Sequence, residues 1–185
     1  MSQLASRTLG ITGFTIRRAT ADDVAAIAGL LADDDIGAVR ELGPGADLTP
    51  YTLAFEAIDA DPGQLLLVVT TGGGTVAATM QLSFIPGMSR QGALRAQIEG
   101  VRVGSRHRGQ GLGEALMTWA IAEARRRGCH LVQLTSDKRR TRAHRFYQRL
   151  GFTAVSEGFK LPLGREPGPP YGTSATSTAS TSSES

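Results

Sequence analysis

The feature that most restricts this chain is a run in its second half, Val101-Arg102-Val103-Gly104-Ser105-Arg106-His107-Arg108-Gly109-Gln110-Gly111-Leu112-Gly113. A strand leads into a basic, glycine-rich loop, and the loop opens a helix. Glycine has no Cβ, so the backbone N–H groups beside it can approach an anion closely. The first turn of a helix leaves four N–H groups without intrahelical partners and carries a partial positive charge. Arg106 and Arg108 add full charges and forked donors suited to phosphate oxygens. The run predicts a site for a pyrophosphate-like ligand.

Two familiar nucleotide loops fit it poorly. A P-loop needs Lys-Ser or Lys-Thr after its glycines, and none follows here. A Rossmann loop is nearer in layout, since helix, strand and Asp137 come next. Its third glycine is misplaced, however, and the leading strand contains Glu99 and Arg102, where a central parallel strand is almost wholly apolar. About fifty folded residues remain afterwards, too few for a second nucleotide-binding half and a substrate domain.

Periodicity fills in the rest. Phe14-Thr15-Ile16-Arg17 alternates like a half-buried strand, and Thr20 then caps a helix over 21–32 with Asp22 and Asp23 in its first turn. A second helix is predicted over 51–58, ended by Pro62-Gly63. The run 65–70, the turn Gly72-Gly73-Gly74 and the run 76–84 make a hairpin, followed by a strand over 93–103. A helix over 111–127 closes at Gly128, a short strand follows over 131–134, and a helix carrying Ala143, Phe146, Tyr147 and Leu150 closes at Gly151. Strands near 152–155 and 158–162 are expected to finish the domain. The order predicts a mixed sheet with helices on its faces.

Composition sets the outer limits. With 41% apolar and 20% charged residues in 185, the chain can bury a real core, and the lone Cys129 supplies neither an internal disulfide nor a cysteine-rich zinc site. No metal is called for. No run of about 18 apolar residues exists, which argues against a membrane span. The N-terminus lacks the layout of a signal peptide, so a cytoplasmic protein is expected. Ten of the last thirteen residues are Ser or Thr, preceded by Pro167, Pro169 and Pro170. The expected organisation is an N-terminal arm over 1–13, one domain over 14–163 and a flexible tail over 164–185.

Arg108-Gly109-Gln110-Gly111-Leu112-Gly113 resembles the R/Q-x-x-G-x-G/A coenzyme A loop of the GNAT family of N-acetyltransferases. Ile16-Arg17-Arg18-Ala19-Thr20 with Asp23 resembles the family's opening strand and helix start. His144-Arg145-Phe146-Tyr147-Gln148-Arg149-Leu150-Gly151-Phe152 resembles its closing block, in a form similar to aminoalkylphosphonate N-acetyltransferases. The three blocks keep the family's order. The resemblance implies an α/β (α+β) GNAT fold, a mixed, mostly antiparallel sheet flanked by helices, with splayed central strands. It implies acetyl-CoA as co-substrate. Val101 and Val103 would meet the pantetheine through their backbones, with Gly100 easing a bulge. The backbone from Arg108 through Gly109, Gln110, Gly111, Leu112 and Gly113 to Glu114 would hold the pyrophosphate. One departure stands out: many members carry Asn where this chain has Arg140.

The chemistry expected is acetyl transfer to a primary amine of a small molecule. An ammonium has no lone pair, and a carboxylate near the amine can take its proton, directly or through water. Similar family members place a Glu base at the position of Glu99, and Tyr147 matches a family Tyr whose phenol can protonate the departing thiolate. His144 reads as a surface histidine and Cys129 as a small buried hydrophobe. Charge is segregated: residues 21–61 hold ten acidic residues and one basic, residues 102–149 twelve basic and three acidic. The acidic stretch 33–41 is expected on the amine side, and Arg126, Arg139 and Arg142 are candidates for the acidic coenzyme. Phe84, Ile85 and Pro86 are candidates for a pocket wall. Two rival readings are a nucleic-acid-binding module built on the arginine cluster, disfavoured because Phe146 and Tyr147 fall on an apolar helix face, and an inactive acyl-CoA sensor. The residues do not define an oligomeric state; the resemblance allows a homodimer.

Overall fold

The computed structural model describes residues 7–33, 45 and 47–163. Its core is one sheet whose six strands lie side by side in chain order. These are β1 (Arg7–Thr8), β2 (Phe14–Arg18), β3 (Gln64–Thr71), β4 (Val76–Pro86), β5 (Leu94–Val103) and β6 (Leu131–Leu134). Each runs antiparallel to the next except β5 and β6, which are parallel. The helix between those two, α4 (Leu112–Arg126), is the crossover that a parallel pair requires. Strand β1 and the half-buried Leu9 and Ile11 join part of the N-terminal arm to the sheet and its core.

Alternation along the strands sorts side chains to two faces. On one, Leu65, Leu67, Val69, Met80, Leu82, Ala96 and Ile98 pack with Leu112, Leu116 and Ala120 of α4. Helix α5 (Thr141–Arg149) adds Phe146 and Tyr147 to that cluster. The other face is thinner: Val68 packs with Ala19 and with Ile27 of α1 (Val24–Ala32), while Leu66 and Phe55 lie half-buried beside them. Helix α2 (Thr49–Ala60) starts earlier than the pattern predicts, because Pro50 is tolerated in a first turn. The helix lies against β3 with Phe55 half-buried beside Val68, but none of its residues is fully buried.

Local rules account for the joints. Asp23 Oδ2 accepts hydrogen bonds from the N–H and hydroxyl of Thr20, at 2.8 and 3.0 Å, closing a capping box on the 3-10 turn that precedes α1. Arg17 grips the same carboxylate through two bonds of 2.6 and 2.9 Å, tying the helix start to β2. A one-turn α3 (Ser89–Gly92) on the surface has Arg90 and Gln91 in left-handed conformation.

The strands expected near 152–155 and 158–162 do not form. Residues 152–163 have no regular structure, and β6 is the last strand of the sheet. Only Phe152 joins the core, its ring 6.1 Å from that of Tyr147. Val155, Phe159, Leu161 and Leu163 are all more than four-fifths exposed. The tail over 164–185 lies outside the described residues.

Two buried carboxylates make stability depend on acidity. Burial pushes the Asp23 carboxyl up, but Arg17 and the Thr20 donors outweigh it and hold it below the usual range. Glu123 is brought below its usual range by Arg126, against the opposing effect of burial and with further help from Arg127; their bonds are 2.7–2.8 Å. A carboxyl depressed in the native state contributes stability above its unfolded value of about 4 and loses it as pH falls through the native value. The urea midpoint is therefore expected to hold steady from about pH 7 to 5 and to fall below about pH 4, within the carboxylate range. Glu123→Gln should cost about 1–3 kcal/mol at neutral pH and make the acid limb shallower. An unchanged limb would remove Glu123 from the account.

Candidate active site

Strands β5 and β6 pair over a short stretch, from Arg95↔Leu131 to Ile98↔Leu134, and then part. Strand β5 continues to Val103 with β4 alone. The register against β4 shifts between Thr79, opposite Arg102, and Gln81, opposite Glu99. Two residues, Gly100 and Val101, therefore face Met80, and this bulge is carried by Gly100 at a φ of +60°. Past the bulge, arginines serve where a strand's N–H would: Arg102 donates to Val101 O at 2.9 Å, and Arg108 Nε donates to Val103 O at 3.1 Å.

The glycine-rich loop closes one end of this opening. Gly109 and Gly111 have φ of +79° and +80°, a region that strains any residue with a Cβ. Gly111 is the N-cap of α4, and the first bond of the helix runs from Ala115 N–H to Gly111 O at 3.0 Å. The amides of Leu112, Gly113 and Glu114 thus precede the intrahelical ladder. Gly113 faces Phe146 and Val103, where a Cβ would lie in ordinary contact at 3.7 Å from Phe146 Cζ and 3.9 Å from Val103 Cγ2. Backbone donors beside an open strand edge fit an extended amide chain ending in a diphosphate.

Asp33 braces the loop. Its Oδ2 accepts from Ser105 N–H at 2.8 Å and from Arg108 Nη2 at 3.0 Å, and its carbonyl accepts from the same Nη2 at 2.6 Å. The one acidic residue of 33–41 that is described therefore serves the loop rather than the amine side; 34–41 lies outside the described residues. Two arginine assignments also need correcting. Arg126 pairs with Glu123, and it sits fourteen residues along α4 from Leu112, about 21 Å at 1.5 Å per residue. Arg139 pairs with Asp137 at 2.8 and 3.0 Å. Arg106 and Arg142 are exposed, the former in the loop and the latter in the first turn of α5.

The two residues expected to move protons approach the opening from opposite faces. Glu99 is exposed and projects with its partner Gln81 toward α1 and α2, since its neighbour Ile98 is buried on the α4 side. Tyr147 lies half-buried in the α4-side cluster, its ring 5.4 Å from Phe146. Burial pushes its phenol up, and the charges of Arg102 and Arg140 pull it partly back. Arg140 thus acts on the tyrosine electrostatically. His144 Nε2 contacts Asp137 O at 3.0 Å, which fits a positioning contact between α5 and the preceding loop. Cys129 is half-buried against the core, and burial raises its thiol. Phe84 packs in the α4-side core, with Arg127 stacked 4.0 Å above its ring. The sequence offered no signal for the Asp33 brace or for the edge-to-face contact between His107 and Phe14 at 5.8 Å. Replacing Asp33 with Ala should speed amide exchange at Ser105 at least tenfold relative to the sheet; an unchanged rate would show that the brace holds nothing.

Residues 19–152 match the model of the acetyltransferase (GNAT) family. The structure superposes with a TM-score of 0.76 on a protein described as a transcriptional regulator from Bacillus halodurans C-125, at 44% identity over 81% of this chain and 99% of the other. A predicted acetyltransferase with acetyl-CoA from Clostridium acetobutylicum shares the fold, with a TM-score of 0.63 and 19% identity, covering 80% of this chain and 96% of that one. Over 45 residues the sequence is 47% identical to an aminoalkylphosphonate N-acetyltransferase of Salmonella typhimurium strain LT2; the match spans 24% of this chain and only 29% of that protein. The family uses acetyl-CoA. With the family's model matched across most of the chain and its splayed sheet present, this protein belongs to the acetyltransferase (GNAT) family.

Proposed function

We propose that the protein is a cytoplasmic N-acetyltransferase that moves an acetyl group from acetyl-CoA to the primary amine of a small molecule. The observation that carries this reading is the parting of β5 and β6 beside a glycine-capped helix start, with a carboxylate on one face of the opening and a phenol on the other. The backbone of residues 108–114 would hold the pyrophosphate, and Val101 and Val103 would exchange their arginine bonds for pantetheine amides. The amine nitrogen attacks the thioester carbonyl and the C–S bond breaks. The amine proton passes to Glu99, directly or through water, and Tyr147 gives a proton to the departing thiolate. The charges of Arg102 and Arg140 suit that second role, because they offset the rise that burial gives the phenol and favour release of its proton.

Free-thiol release from acetyl-CoA across a panel of small amines tests the activity. Glu99→Gln should lower kcat/KM by about tenfold to a hundredfold at pH 7, and the deficit should narrow toward pH 9.5, as the free amine with its pKa of about 10 becomes abundant. A constant deficit at every pH would exclude Glu99 as the base. The relative described as a transcriptional regulator favours one other reading, nucleic-acid binding through the exposed arginines. A salt-sensitive gel shift without thiol release from any amine would support it.

A further inference from the structure

On the face that Glu99 shares with Gln81, α1 and α2 lie over the sheet and line a half-open cavity of about 140 Å³. Leu31 of α1 and Tyr51, Phe55 and Ile58 of α2 wall it, while Gln81 and Gly100 form its edge on the sheet. The apolar side of α2 faces this volume, and none of its residues is fully buried. Its position matters most. Gly100 follows Glu99 directly, and Gln81 is the cross-strand partner of Glu99, which places their Cβ atoms about 5 Å apart. A molecule seated there would present its near end to the Glu99 carboxylate.

Charge narrows the occupant. Among the described residues no Lys, Arg, Asp or Glu lines the cavity. The shallower cleft that continues from it past Ala54, Ile58 and Gln81 adds Asp61 and Gln64, so its one charge is negative. The Gln64 amide is occupied in the sheet, its Oε1 accepting from Gln81 Nε2 at 3.1 Å and from Ser83 Oγ at 2.7 Å. Asp33 and Arg108, the charged pair at the loop, are bonded to each other. Among the described residues that line the cavity and the cleft, an anionic substituent such as a phosphonate would meet no cation and one carboxylate. An apolar volume near 150 Å³ suits one benzene-sized group.

We propose that the acceptor is an amine carried on a compact, uncharged apolar body, an aralkylamine or branched alkylamine, with the body in the cavity between α1 and α2 and the amine directed by Gln81 toward Glu99. This rests on the acetyltransferase reading above and names the acceptor class of the same site. It separates this chain from the aminoalkylphosphonate enzyme that it matches in part.

The test measures thiol release by the full chain at saturating acetyl-CoA with 2-phenylethylamine, isoamylamine, ethanolamine, aminomethylphosphonate and putrescine. The expected kcat/KM for the two apolar amines is at least tenfold above that for the other three. Ala54→Phe, which fills the cavity from α2, should raise KM for 2-phenylethylamine at least tenfold and flatten the preference. Ala54→Leu should do so in part and covers the case in which the larger residue upsets folding. Equal or better use of ethanolamine, putrescine or aminomethylphosphonate would overturn the acceptor class while leaving the acetyltransferase reading intact. So would an undiminished preference in both variants. Silence with every amine would overturn both.

Discussion

The site depends on two parallel strands that stay together for only a few residues. Were β5 and β6 paired along their full length, no backbone group would face a gap and no ligand could lie between them. The bulge at Gly100 prevents this by giving β5 one residue more than β4 requires, and the strand beyond it follows β4 alone. The cost of parting is a set of backbone acceptors without a strand neighbour, and Arg102 and Arg108 cover two of them. A side chain can swing away where a strand could not. The same bulge sets Glu99 and Gly100 beside the α1–α2 cavity, so in the proposed function the diphosphate end and the acceptor end of the site would have a common origin.

Ion pairing engages several of the arginines around the loop. Near the opening Arg108 is committed to Asp33 and Arg139 to Asp137, while Arg126 is held by Glu123 at the far end of α4. The helix start therefore matters more than the surrounding arginine count suggests. Tyr147 shows a similar balance: burial raises its phenol, and two guanidinium groups limit that rise.

Most of the architecture was legible in the sequence because its signals are local. Alternation marked the strands, Gly72-Gly73-Gly74 marked the hairpin, and Gly128 and Gly151, both with positive φ, marked the ends of α4 and α5. Non-local relations were not legible. The apolar residues Val155, Phe159 and Leu161 read as strand, yet pattern says that a residue favours burial and not what will cover it. The face occupied by Phe84 depends on hairpin register, and charge counts along the chain do not reveal that Arg126 bonds Glu123 one turn back. The cavity was invisible for a related reason, since it arises from the distance between two helices rather than from any motif.

The central claim is that the helix start at Gly111 and the parted strands bind the diphosphate and pantetheine of acetyl-CoA. Calorimetric titration of the full chain with acetyl-CoA tests it most directly, alongside Gly111→Glu, which places a side chain and a negative charge where φ is +80°. The account predicts saturable one-to-one binding by the wild type and no measurable heat with the variant, both proteins having the same far-UV circular dichroism. Absence of binding by the folded wild type, or equal binding by Gly111→Glu, would contradict it.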